Sequence, residues 1–102
     1  MLELRPSCEH CNKALPPAAL DARICSFECT FCAACVEQVL FNVCPNCGGG
    51  FERRPVRPSR NLRGDNDLAH NPADTTVRHR PLDLAAHAAF AQAVRDTAPE
   101  RR

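Results

Sequence analysis

The chain has 102 residues and a formal net charge of +1, with eight cysteines, no tryptophan or tyrosine, and five phenylalanines. Leucine, isoleucine, valine and phenylalanine together make up about a fifth of the residues, close to the level at which a chain lacks enough apolar surface to fold unaided. No run of about 18 apolar residues is present, so no membrane-spanning helix is predicted. A domain this poor in core residues needs a covalent or metal staple, and the cysteines are the candidates.

All eight cysteines lie between Cys8 and Cys47. Their order is C-x2-C, then thirteen residues, then C-x3-C-x2-C-x2-C, then eight residues, then C-x2-C. A C-x2-C pair places two thiolates at the tip of one tight turn, where both reach the same tetrahedral metal ion. Eight thiols are enough for two such ions, so the pattern predicts two Zn²⁺ ions.

Disulfides and an iron–sulfur cluster are the competing uses of these thiols. The opening MLELRPSCEH has no apolar stretch of the kind that a secretory signal requires, so a cytoplasmic location is expected. In a reducing cytoplasm, clustered thiols hold metal rather than one another.

The spacing by itself leaves two pairings open. In a sequential pairing the first four cysteines hold one ion and the last four hold the other. In a cross-braced pairing the first two cysteines share an ion with the fifth and sixth, and the third and fourth share one with the last two. Cys29, Cys32 and Cys35 are each three residues apart, so two C-x2-C turns compete for Cys32. Which of these two turns Cys32 joins determines the pairing of the ligands and therefore the fold.

The stretch ICSFECTFCAACVEQVLFNVCPNCGGGF (residues 24–51) resembles the RING finger. Its cysteine spacing, the aromatic Phe31 before the fifth ligand position, and Pro45 after the seventh all match that pattern. Between the last ligand groups, VEQVLFNV carries apolar residues at helical spacing, as expected for a short core helix. The resemblance implies a small zinc-stabilised domain, a RING-like cross-braced two-zinc module. It implies these ligand sets: Cys8, Cys11, Cys32 and Cys35 for site one; Cys25, Cys29, Cys44 and Cys47 for site two.

A second resemblance is to a family of short bacterial cysteine-rich proteins of unknown function. The matching segments are LELRP (residues 2–6), ARICSFECTFC (residues 22–32) and CPNCGG (residues 44–49), followed by RRPVRP. The resemblance implies no activity. Ubiquitin ligation is not expected either, because Glu9 and His10 stand where RING ligases present an apolar residue, and Gly48 replaces their cation.

Complete sets of four thiolates leave no open coordination position for water or substrate, so both sites are predicted to be structural and no enzyme is expected. His10 lies within the first C-x2-C pair, where a solvated side chain is expected because the thiols already fill both sites.

Three segments follow from the composition. Residues 1–51 are the cysteine module, residues 52–81 are predicted to be an Arg/Pro-rich flexible linker, and residues 82–98 are predicted to form a C-terminal amphipathic helix. The alanine-rich helix has a thin apolar stripe, with His87 expected to be solvated at its edge. Such a stripe suits docking on the module or a homodimer contact.

The functional hypotheses differ in class. The first is a protein-interaction adaptor without enzymatic activity and without membrane contact. The second is nucleic-acid binding through the arginine arm of residues 53–63, although this arm lacks interleaved aromatic residues for base stacking. The third is a thiol-based redox or zinc sensor. The candidate nucleic-acid contacts are Arg53, Arg54, Arg57, Arg60 and Arg63.

Overall fold

The computed structural model describes residues 1–102. Three short strands, β1 (Ala22–Ile24), β2 (Thr30–Cys32) and β3 (Glu52–Arg53), form an antiparallel sheet in the order β2-β1-β3. The strands β1 and β2 are joined by a tight turn that contains two of the cysteines. This small sheet fixes the positions of the cysteines that follow β1 and end β2.

A short helix lies between the two groups of cysteines. It begins as α1 (Ala33–Cys35) and continues as a π-helical turn over Val36–Leu40; residues 33–40 are called the core helix below. The chain leaves it where Phe41 and Asn42 take left-handed backbone angles (φ of 53° and 55°). Two of the apolar residues that predicted a helix at this place, Val36 and Leu40, are buried within it, and Val43 is buried just beyond its end.

The hydrophobic core is small and rich in sulfur. Six of the twelve residues in the buried cluster are cysteines. Within it, the rings of Phe31 and Phe51 meet edge to face with centroids 5.5 Å apart. With so little hydrocarbon in the core, the stability of the fold depends on how the thiols are held together.

Residues 52–81, for which a flexible linker was predicted, lie along the module and hydrogen-bond to it. Arg54 is only 2% exposed, and its guanidinium donates to the carbonyls of Arg5 (2.8 Å), Leu15 (3.1 Å) and Pro16 (3.0 Å). Burial lowers the pKa of Arg54. Because no carboxylate contacts this guanidinium, its charge is held by carbonyl dipoles alone.

Further along the same segment, other contacts tie it to the N-terminus. Arg57 donates to the carbonyls of Leu2 (2.7 Å) and Asn71 (2.7 Å). The Asp74 N–H donates to the Glu3 carbonyl at 2.8 Å. The segment is therefore anchored to the N-terminal residues of the module at three successive places, Arg54 included.

The C-terminal helix forms as α2 (Leu84–Val94), shorter at both ends than the predicted residues 82–98. Asp83 begins it as the N-cap, accepting from the Ala86 N–H at 3.1 Å, and a 3₁₀ turn (Pro99–Arg101) follows. The prediction that His87 is solvated was wrong. Its side chain is buried because Nε2 donates to the Leu40 carbonyl at the end of the core helix, at 3.0 Å. None of the helices has the length and apolarity needed to span a bilayer.

Candidate metal centre

The first cluster of thiols joins the N-terminal C-x2-C turn to the start of the core helix. Its four Sγ atoms all lie within 4.8 Å of one another. Two of them come from the turn that begins at Cys8, one from the last residue of β2 and one from the last residue of α1. The members are those predicted for site one: Cys8, Cys11, Cys32 and Cys35.

The second cluster lies at the other end of the core helix. The Sγ atoms of Cys25, Cys44 and Cys47 are within 4.8 Å of one another, and Cys29 falls outside this closest group. Cys29 is nevertheless buried, and burial together with the neighbouring Cys25 raises its pKa to about 11. Three of the four residues predicted for site two are thus brought together, with the fourth beside them.

The two clusters interleave along the chain. A sequential pairing would place Cys25 and Cys29 with the first two cysteines, yet Cys25 lies with Cys44 and Cys47. The sheet and the core helix explain this arrangement, because β2 and α1 carry Cys32 and Cys35 to the first cluster, whereas β1 leads directly into Cys25 of the second cluster. Two small metal sites would then brace one core.

The distances suit a metal ion and not a disulfide. All eight cysteines are free. The Sγ atoms of Cys11 and Cys32 are 3.8 Å apart. A disulfide requires about 2.05 Å, whereas sulfurs placed about 2.3 Å from a zinc ion at tetrahedral corners are about 3.8 Å from one another. The chemistry and the spacing of the first cluster therefore fit a tetrahedral four-thiolate site.

Backbone amides point at the sulfurs from the turns that carry them. The Phe27 N–H donates to Sγ of Cys25 at 3.3 Å, and the Gly49 N–H donates to Sγ of Cys47 at 3.4 Å. Gly48 lies between Cys47 and Gly49 and has a φ of +76°. This is the left-handed conformation that the turn needs and that glycine adopts without strain. Such donors stabilise sulfur in its anionic form and reduce the net negative charge of a metal–thiolate centre.

The protein surroundings shift the pKa of some of the thiols upwards and of others downwards. Burial raises the pKa of Cys35 and Cys44, and it also raises that of Cys8 despite amide donors. At Cys11, burial acts in the same direction, but hydrogen bonds from the Lys13 N–H and from nearby thiols lower the pKa overall. Several thiols therefore carry protons at neutral pH until a metal displaces them.

Metal binding is accordingly expected to release protons, and the affinity should rise with pH. Because protons on the raised-pKa thiols compete with the ion, lowering the pH favours the metal-free chain. We expect zinc affinity to increase steadily from about pH 6 to about pH 8, and the binding enthalpy to depend on the ionisation enthalpy of the buffer. Calorimetry in two buffers at each pH measures both effects. An affinity that is independent of pH across this range would contradict thiol ligation.

Two residues between the first pair of cysteines have roles that sequence analysis missed. The Glu9 carboxylate is largely buried and accepts from the Thr30 N–H and from Arg5 (3.2 Å), while the Glu9 N–H donates to the Thr30 carbonyl. His10 is not simply solvated, because its Nδ1 accepts from the Leu82 N–H at 3.0 Å. The only signal in the sequence is the polar pair inside C-x2-C, which does not reveal either partner.

The five arginines predicted to contact nucleic acid differ in their exposure to solvent. Arg54 is buried and Arg57 is half-buried, and both guanidinium groups are occupied by backbone carbonyls. Arg53, Arg60 and Arg63 are exposed. Fewer positive charges are therefore presented to solvent than the sequence of the arm implies.

Comparison with known proteins gives the family. A family model described as a protein of unknown function, DUF1272, matches residues 1–57. The chain belongs to the DUF1272 family. It is also 60% identical over 63 residues to an uncharacterized protein of Rhizobium meliloti (strain 1021), which covers 62% of this chain and 75% of that protein. No solved structure matches. The predicted membership in a family of uncharacterised cysteine-rich proteins is thereby confirmed, and the DUF1272 match contains all eight cysteines.

Proposed function

We propose that this DUF1272 protein is a non-enzymatic zinc-binding module in which two structural Zn²⁺ ions build a RING-like, cross-braced fold for protein interaction. This proposal rests on the first cluster, in which four thiols from a turn, a strand and a helix lie within 4.8 Å of one another. Zinc is the ion that four cysteines in this arrangement hold most commonly as a structural centre.

The assignment of ligands follows from the two clusters. Site one would be held by Cys8, Cys11, Cys32 and Cys35. Site two would be held by Cys25, Cys44 and Cys47, with the buried Cys29 completing its four thiolates. Zinc supplies a rigid cross-link here, and the full thiolate set leaves no coordination position for a substrate. A reducing compartment such as the cytoplasm keeps these thiols available for the ion.

An adaptor role is favoured over catalysis because the metal-built core positions surface elements rather than a reactive group. The two C-x2-C turns carry thiols of the two clusters, and α2 packs on the core helix between them. A partner that recognises this surface should therefore depend on the metal.

The test compares zinc-loaded full-length protein with the same protein stripped by a chelator, each used as bait under reducing conditions. We expect a defined partner to bind only the loaded form, because the stripped chain loses the fold that presents the surface. Readdition of zinc should restore binding. A partner that binds both forms equally would contradict the metal-built adaptor.

A further inference from the structure

The C-terminal segment, defined as residues 79–102, begins by pairing with the first cysteine turn. The Arg80 N–H donates to the Glu9 carbonyl at 2.7 Å. The Leu82 N–H donates to Nδ1 of His10 at 3.0 Å. The start of the segment is therefore held by the two residues between Cys8 and Cys11.

The end of the segment reaches the C-terminal C-x2-C turn, which is formed by residues 44–47. The Arg102 guanidinium donates to the carbonyls of Asn42 (2.8 Å) and Gly48 (3.1 Å). Gly50 lies so close to Pro99 that an added Cβ would stand 2.8 Å from the proline ring. Gly50 therefore permits an approach that a larger residue would obstruct.

Between these ends, α2 lies on the core helix. His87 donates to the Leu40 carbonyl, and the guanidinium of Arg95 stands 4.8 Å from the centroid of the Phe41 ring. The residues of the module that contact α2 and the residues after it are called the receiving face below. Its members are Leu40, Phe41, Asn42, Gly48 and Gly50.

The contact is specific but buries little apolar surface. Only His87 and Ala91 of α2 are buried, whereas Leu84 is 59% exposed and Phe90 is 42% exposed. An eleven-residue helix is marginal in isolation. Because few apolar side chains hold it, its docking is expected to be reversible.

The family model matches the region that contains the receiving face but not the segment that occupies this face. The DUF1272 match ends at residue 57, so it contains the whole receiving face and none of α2. The receiving face therefore lies inside the matched region, and the segment that covers it lies outside that region.

From these contacts we propose that residues 79–102 are a detachable intramolecular cap on a helix-binding face of the module. The occupant of the receiving face is this segment in cis. Its release frees the face for an alanine-rich helix that carries a histidine at the position of His87 and is followed by an arginine at the position of Arg102. The proposal deepens the proposed adaptor function and rests on it, because it names the surface that the metal-built module presents.

The test uses the full-length, zinc-loaded chain and a fluorescent synthetic peptide of residues 79–102. The double variant His87→Ala/Arg102→Ala removes two anchors of the cis segment without changing the receiving face. The matched control Leu84→Ala/Arg101→Ala alters exposed positions of the same segment. We expect the double variant to bind the peptide at least about tenfold more tightly than the wild type, because a docked cis segment lowers the fraction of competent protein. The control should behave as the wild type.

Equal peptide affinity in all three proteins would overturn the cap. Metal content measured on the same samples separates the two proposals, since a wild-type chain without zinc would contradict the proposed function even if the affinity shift appeared. If the double variant fails to fold, amide exchange in the wild type decides. Saturating peptide must then speed the exchange of Leu84–Val94 by displacing it, and unchanged exchange would overturn the cap.

Discussion

Replacing Cys32 by serine is expected to reduce the zinc affinity of site one by more than about 100-fold, because even partners that only hydrogen-bond to ligands are worth about 10–100-fold. Cys32 is 3% exposed, ends β2 and precedes the first residue of the core helix. Its Sγ is 3.8 Å from that of Cys11. A serine hydroxyl is a poor substitute for a thiolate on zinc, so the site would be left with three strong ligands.

The same substitution should also weaken the second ion. β2 pairs with β1, which leads directly into Cys25, and both sites pack on the one core helix. Competition with a chromophoric chelator measures each affinity. Ser26→Ala is the control, because Ser26 is exposed and lies between Cys25 and Cys29 without belonging to either cluster. A Cys32→Ser protein that kept two tightly bound ions would show that the proposed ligand sets are incorrect.

Arg54→Ala is expected to lower the free energy of unfolding of the zinc-loaded protein by about 2–4 kcal/mol, a size typical of breaking a buried hydrogen-bond network. Its guanidinium donates to three carbonyls from the N-terminal residues of the module, and the side chain is almost fully buried. Removal leaves those carbonyls without their donors and creates a cavity where the arginine stem lies. Arg54→Lys should recover only part of the loss, since one ammonium group cannot reproduce the planar fork.

Denaturant unfolding at constant free zinc measures this effect. Arg60→Ala provides the matched control, because Arg60 is an exposed arginine of the same segment and should change the stability by no more than about 0.5 kcal/mol. If the two alanine variants were equally stable, Arg54 would not hold residues 52–81 to the module.

The cysteines explain why the candidate site was largely readable from the sequence. A C-x2-C turn is a local structure, so the spacing predicts that the two thiols of one such turn share an ion, and the RING resemblance implied how the turns combine. The apolar residues of VEQVLFNV likewise indicate a helix locally, and Val36 and Leu40, four residues apart, are buried as that periodicity requires. What spacing could not decide was the partner of Cys32, which depends on the pairing of β1 with β2.

The residues that sequence analysis misjudged make contacts far along the chain. Arg54 reads as one arginine of a basic, proline-rich stretch, yet its partners lie 38 to 49 residues earlier. His10 and Leu82 are separated by 72 residues, and His87 and Leu40 by 47. No local pattern encodes such pairs, because the acceptors are backbone carbonyls or a single ring nitrogen and carry no sequence signature.

The most direct test of the account is the metal content of the purified full-length protein, with free thiols counted before and after denaturation. We predict two zinc ions per chain and, once the protein is unfolded and the metal removed, eight reactive thiols, matching the eight cysteines. Protein containing little metal and few reactive thiols would mean that disulfides hold the fold, and it would contradict the metal-built module.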